Sequence, residues 1–518
     1  MKNDKLNEAF DNIDGKYVSM TQKAPGRSRA LRLAFITAAL ALLVAAISVI
    51  TVMSRRNDIQ NTGEDKDSAS APSDEQLAEN VTGESTGKVA ENVTEESTDN
   101  VAEIIPAADT TERVHEVFSG GPGDYSGAKF ISLADTSKNS GTVYGSSQYE
   151  AMQDYRENAK KLSGFFDALT GKMLDGENSG VVSPVNVYMA LSLLAECTGG
   201  ESRKQILDVI GASSIEELRE QSKLLWLFNS RDNECGRSLL GNSVWLSSDL
   251  PVKENCVDIL KNYHFASSFT GDFSDEKYKN ALRQWLSDQT NGLLDDSIND
   301  LEIPDETVAM LASTLYYKAK WFRGYYQAEN GVFKGAGGES ECVFNKKTVS
   351  NAYIYEGSGF TAFRDGLSDG NVIWFFLPDD GKTVSDVIKT DLVSYVNGSR
   401  DGKRYDVTVR MPDFDVNFNS SIKETMKDLG ITYCIEPGKA DFSSLSDDDL
   451  YVSSAVHAAR FKADKEGVEG AAYTVIMVEA TGEPVDLPDY DLTLDRPFAF
   501  MVENNGVPLF TGCVCGLD

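Results

Sequence analysis

Val181-Val182-Ser183-Pro184-Val185-Asn186-Val187 is the stretch from which the folded part of this 518-residue chain is read. Two valines make a short extended run. Pro184 then opens a helix, because its fixed φ suits the first helical position and its missing amide N–H has no partner to lose there. Val187, Ala190, Leu191 and Leu194 recur at helical spacing, and Gly199-Gly200 supplies the stop. Upstream, Tyr155, Ala159, Leu162, Phe166, Leu169 and Met173 fall on one helical face, followed by a break at Glu177-Asn178-Ser179-Gly180. Downstream the period falls to two. Tyr405, Val407, Val409 and Met411 alternate with polar residues up to Pro412, as in a half-buried strand. Phe498 to Val502 and Leu509-Phe510 are apolar on both faces, as in a sheet interior. Helices early and strands late predict an α+β fold. Cys197 reads as a core residue of its helix. Cys513 and Cys515 share a strand face, poorly placed for a mutual disulfide, and read as core residues too.

The balance of 49 basic to 81 acidic side chains gives a net charge of -32, which excludes a general nucleic-acid binder. Seven cysteines and three histidines are too few and too scattered for a metal framework or a disulfide scaffold. We therefore expect no cofactor and no metal.

The chain divides by composition. Leu33 to Met53 is 21 residues without a charge, enough to cross a hydrocarbon layer of about 30 Å as a helix. Lys2, Lys5, Lys16, Lys23, Arg27, Arg29 and Arg32 precede it, so the positive-inside rule keeps residues 1–32 in the cytoplasm and exports the rest. A cleaved signal peptide, and hence a secreted protein, is the alternative, but both its charged and its apolar regions would be unusually long. Residues 54–150 are acidic and rich in Ser, Thr, Asn and Gly, with Ala78-Glu79-Asn80-Val81-Thr82 repeated at Ala90-Glu91-Asn92-Val93-Thr94. Such a stretch buries too little apolar surface to offset its conformational entropy, so it reads as a disordered stalk before a domain over 151–518. Residues 1–56 carry +5, residues 57–150 carry -14, and the remaining 368 carry -23, which favours basic partners.

The residues of that domain resemble the serpin family, in the form of a bacterial-type, membrane-anchored and inhibitory member. The opening stretch with Gly199-Gly200 is similar to the serpin strand entering its second helix. Tyr316-Tyr317-Lys318-Ala319-Lys320-Trp321 resembles the approach to the tryptophan of the breach, at the top of the central sheet. Val409-Arg410-Met411-Pro412-Asp413-Phe414, Leu429-Gly430-Ile431 and Ala440-Asp441-Phe442-Ser443 follow in the family's order. So do Val456-His457-Ala458-Ala459, Asp495-Arg496-Pro497-Phe498 and Pro508-Leu509-Phe510-Thr511-Gly512. The resemblance implies about nine helices around three β-sheets with an exposed reactive centre loop. It also implies a suicide mechanism. A target serine protease cleaves the loop and is held as a covalent acyl complex while the loop inserts as an extra strand.

The hinge of that loop is Glu466-Gly467-Val468-Glu469-Gly470-Ala471-Ala472-Tyr473-Thr474. In an inserting strand alternate residues face the core. Here these are Val468, Gly470, Ala472 and Thr474, none charged or large. Glu469, Ala471 and Tyr473 take the other face, toward solvent. The resemblance also implies a buried polar shutter, filled here by Ser183, Asn186, Ser313 and His457. Asn186 and Ser313 stand in exchanged positions, and we expect them to trade roles and keep the network satisfied. Family spacing puts the reactive bond at Thr481-Gly482, with Val478 and Ala480 as alternatives. No Lys or Arg occurs from Glu466 to Asp495, so the loop suits an elastase-like or subtilisin-like serine protease rather than a trypsin-like one.

A non-inhibitory serpin, acting as a binding or carrier module, is the alternative; the small, uncharged inward face of the hinge argues against it. A hydrolase needs a histidine beside a nucleophile. His115 lies in the stalk, His457 in the shutter, and His264 in an ordinary amphipathic stretch. The protein is expected to be a monomer and not an enzyme.

Overall fold

A computed structural model describes residues 125–134, 146–398, 401–469 and 487–517. The segments 1–32 and 33–53, and the stalk apart from residues 125–134 and 146–150, lie outside them.

The chain enters with strand β1 (Lys129–Ser132) and helix α1 (Ser146–Met173). Tyr155, Ala159, Leu162, Phe166, Leu169 and Met173 are all buried, as their spacing requires. β2 (Gly180–Val182) leads through Ser183 into α2 (Pro184–Cys197), with Pro184 in its first turn. α2 is buried nearly all round, so it runs through the centre of the domain. Then come α3 (Gly200–Ile210), α4 (Ile215–Asn229), β3 (Arg231–Asn233), β4 (Gly236–Ser247), α5 (Glu254–His264) and β5 (Ala266–Gly271). α6 (Glu276–Gln289), α7 (Asp295–Asn299), β6 (Ala309–Lys320), β7 (Gln327–Gly335), β8 (Gly338–Glu356), β9 (Phe360–Gly366) and β10 (Val372–Pro378) follow. The last part holds α8 (Val384–Ile388), α9 (Leu392–Asn397), β11 (Gly402–Pro412), β12 (Phe414–Ser421), α10 (Lys423–Leu429), β13 (Val456–Ala463) and β14 (Gly467–Val468). β15 (Asp489–Thr493), β16 (Phe498–Asn504) and β17 (Val507–Val514) complete it.

This is the α+β architecture expected, with ten α-helices among the described residues. The strands hydrogen-bond as two sheets where three were expected. The central sheet has the order β1-β5-β4-β6-β14-β13-β12, with β3 on β4. The second runs β15-β11-β8-β9-β10-β16-β17-β2, with β7 on β8. β8 is the reason for the difference: 19 residues long, it carries β7 along its first half and β9 at its end, joining two groups of strands into one ladder.

The stalk boundary needs correcting. Residues 125–134, assigned to the disordered stalk, fold onto the outer edge of the central sheet. β1 pairs antiparallel with β5, and Ala134 donates its N–H to Ser267 Oγ at 3.2 Å. Tyr125 is buried and donates its hydroxyl to Asp288 Oδ2 at 2.6 Å. It joins Trp245, Phe269, Tyr278 and Trp285 in a small second core between α6 and the sheet. α1 also starts inside the assigned stalk, at Ser146.

Candidate functional site

The centre of the site is a turn. Asp464 ends the β13 hairpin, and its Oδ1 accepts from the N–H groups of Glu466 (2.7 Å) and Gly467 (3.1 Å), fixing the chain reversal. Gly467 then pairs with Lys320 of β6. A Cβ on Gly467 would lie 2.4 Å from the Ala319 carbonyl oxygen, so glycine alone fits this approach. Val468 pairs with Ala319 on one side and Ala463 on the other and is 1% exposed. The hinge therefore already occupies the central sheet for two residues, with Val468 on the inward face. Glu469, expected toward solvent, is instead half-buried and its carboxylate accepts from the Tyr316 hydroxyl at 3.3 Å. Beyond Val468 the two flanking strands share no ladder among the described residues. A slit lined by Tyr317, Arg460, Phe461 and Phe510 runs beneath. Gly470, Ala471, Ala472 and Thr474, and the reactive-bond candidates Val478, Ala480, Thr481 and Gly482, lie outside the described residues.

Trp321 stands over the turn and donates its indole N–H to the Asp464 carbonyl at 2.7 Å. Under it lies a pair that the sequence did not reveal. Lys347 is 1% exposed, bonds Asp365 at 2.6 Å and sits over the Trp321 and Tyr325 rings. Burial pulls the Lys347 ammonium below its usual range, while the Asp365 charge pulls it back up. Two lysines in an alternating strand carry no sign that one faces inward.

The shutter candidates are only partly brought together. The Ser183 N–H donates to His457 Nε2 at 3.2 Å, and the Ser183 hydroxyl to the Leu509 carbonyl at 2.7 Å. Asn186 is buried in α2. Ser313 Oγ is buried and makes no hydrogen bond to the other described residues. Ser313 faces Asn242 across β4 and β6, and the Asn242 side chain donates instead to the His264 carbonyl.

Burial without a countercharge lowers the His457 pKa from 6.5 to about 4. A base whose folded pKa is depressed binds fewer protons folded than unfolded. Its contribution is thus intact above about pH 6.5 and lost as pH falls toward 4, by on the order of 3 kcal/mol. We expect the melting temperature to fall over that window, and His457→Gln to flatten that part of the profile. An unchanged profile in the variant would show that other groups set the dependence.

His264, read as part of an ordinary amphipathic helix, is fully buried, with Nε2 3.1 Å from Glu196 Oε1. Arg219 closes on the same carboxylate with two bonds, at 2.7 and 2.9 Å. Burial would raise the Glu196 carboxyl, but the His264 and Arg219 bonds prevail and hold it below its usual range. This ties α2, α4 and α5 together. The three cysteines read as core residues, Cys197, Cys513 and Cys515, are buried and unpaired as thiols. Among the described residues no metal-binding cluster occurs, and no helix is long and apolar enough to cross a membrane; residues 33–53 are not among them.

Comparison with known proteins assigns this geometry to a family. A family model described as Serpin (serine protease inhibitor) matches residues 166–517. The alpha-1-antiproteinase of Rattus norvegicus is 27% identical over 386 residues, covering 71% of this chain and 91% of the relative. Serpin-Z2B of Oryza sativa is 26% identical over 408 residues, covering 70% and 98%. Among solved structures, the thermophilic serpin tengpin in its native state superposes with a TM-score of 0.63 at 23% identity, covering 75% of this chain and all of the neighbour. Thyroxine-binding globulin in complex with thyroxine gives 0.59 at 18%, covering 70% and 99%. The chain belongs to the serpin family.

Proposed function

We propose that this chain is a suicide inhibitor of serine proteases, trapping the acyl-enzyme by inserting its cleaved loop into the central sheet. The observation that carries the reading is Val468, already buried between β6 and β13. Extending its register sets Gly470, Ala472 and Thr474 opposite Tyr317, Leu315 and Ser313 on β6, and opposite Phe461, Ala459 and His457 on β13. Each is small enough for its slot, and Thr474 would bring a hydroxyl to the unpartnered Ser313 Oγ. A non-inhibitory carrier needs no such row of small, uncharged residues.

The target we propose is an elastase-like or subtilisin-like serine protease acting at Thr481-Gly482, since the loop offers no cation to an acidic specificity pocket. We further propose that residues 33–53 anchor a monomeric domain outside the cell, with the acidic stalk as spacer. The domain's own negative charge would speed encounter with basic enzymes.

Incubation of residues 125–518 with an elastase-like protease is expected to give an SDS-stable complex. Mass spectrometry of the released C-terminal fragment is expected to find Gly482 at its start. A start at Glu479 or Thr481 moves the bond to the alternatives. Clean cleavage by every such enzyme without a complex returns the carrier reading, and a complex with trypsin alone overturns the specificity.

A further inference from the structure

Two of the seven cysteines come together from separate helices. Cys197 is the last residue of α2 and fully buried, and Cys256 lies in the first turn of α5, 2% exposed. Cys256 Sγ sits 3.9 Å from the carbonyl oxygen of Glu196, the peptide oxygen immediately ahead of Cys197. The two thiols are in hydrogen-bond contact, and that contact, with burial, pushes the Cys197 thiol well above its usual range. The frame around them is already fixed. Arg203 donates to the Ala195 and Glu196 carbonyls at 2.9 and 3.2 Å, the Thr198 hydroxyl donates to the Leu194 carbonyl at 2.9 Å, and the Glu196 carboxylate bonds His264 of α5. α2 and α5 are thus held against each other without any bond between the sulfurs. Cys513 and Cys515 also touch, but they lie two residues apart at the end of β17, where a bond would pull that strand from its ladders with β16 and β2.

We propose that Cys197 and Cys256 close into a disulfide when the chain folds in the presence of a low-molecular-weight disulfide. The proposal is independent of the inhibitory reading. The thiolate of one cysteine attacks the reagent, forming a mixed disulfide and releasing one thiol, and the other cysteine displaces the second half. The two cysteines are oxidised, the reagent's sulfur pair is reduced, and the two cysteine protons end on the released thiols. The exchange takes place before burial is complete, because a buried thiol held protonated is a poor nucleophile. Once the core closes, the same burial keeps reductants out. The bond pins α2 to α5 across a loop of about 60 residues that holds α3, α4, β3 and β4, and so restricts the unfolded chain.

The test is to unfold and reduce the full chain, refold it in detergent with oxidised and reduced glutathione, alkylate it in denaturant and map the peptides by mass spectrometry. One cross-linked peptide pair holding Cys197 and Cys256 is expected, two hydrogens lighter than its thiol form, with the other cysteines alkylated. The linked protein is expected to melt about 5 °C above the reduced one. Dithiothreitol is expected to reduce the bond at least about a hundredfold more slowly in the native protein than in denaturant. Cys256→Ala should lose both the cross-link and the redox dependence of the melting temperature. If that variant does not fold, the wild-type peptide map decides alone. A folded protein with every cysteine alkylated, or with Cys513 joined to Cys515 in place of this pair, overturns the proposal. A linked protein that melts no higher than the reduced one overturns the bond's role as a clamp.

Discussion

A single cut in the loop after Glu469 is expected to raise the melting temperature of the domain by more than about 10 °C. Among the described residues, the slot from Ala319 down to Ser313 on β6 and from Ala463 to His457 on β13 is joined only at its mouth, by the two residues of β14. A strand that fills it gains a ladder on both edges. The gain is these two ladders, at about 1 kcal/mol for each hydrogen bond, together with the newly buried inward face, less the entropy of ordering the loop. In a domain of this size each kcal/mol of surplus moves the transition by roughly 1–2 °C. Calorimetry before and after limited cleavage reads it directly. A cleaved domain that melts no higher than the intact one would sink the insertion mechanism.

Val468→Arg is expected to turn the inhibitor into a substrate, with the yield of covalent complex falling at least tenfold while cleavage continues. Its side chain would enter a site now 1% exposed, between Ala319 and Ala463. Burying a charge without a partner costs about 3–5 kcal/mol. The same substitution is expected to expel β14 from the intact protein, because that pairing is already in place. Val468→Ala, which leaves a small gap and no charge, should retain most of the complex. If Val468→Arg gives unchanged complex yield by gel densitometry, the inward face of the hinge has no part in trapping.

What the sequence disclosed, and what it hid, follows from how each residue spends its surroundings. The α1 face was legible because burial there selects apolar side chains at a fixed period. β1 was not. It has four residues, alternately exposed and half-buried, and it lies in a stretch whose Ser, Thr and acidic content reads as solvated. Tyr125 and Phe130 carry its packing, and their partners on α6 and β5 come more than a hundred residues later. Lys347 and Asp365 were illegible for another reason. Charged residues are expected at the surface, and only the fold shows that two of them share a buried place under Trp321. Glu469 is half-buried rather than turned to solvent because the Tyr316 hydroxyl bonds its carboxylate and Leu293, in the turn after α6, shares its slit.

The strand at the outer edge also decides how the domain would bear force. Between β1 and the slot stand β5, β4 and β6; on the other side are β13 and β12. With the upstream chain held at a surface, as proposed, tension enters at Tyr125. The β1–β5 ladder and the Tyr125 bond to α6 take the load first. None of it needs to cross β14. The near block of strands would then be the part held by the stalk, with β13 and β12 on the far side of the slot. A trapped protease drawing on its attachment would thus strip an edge strand before it could pry the slot apart.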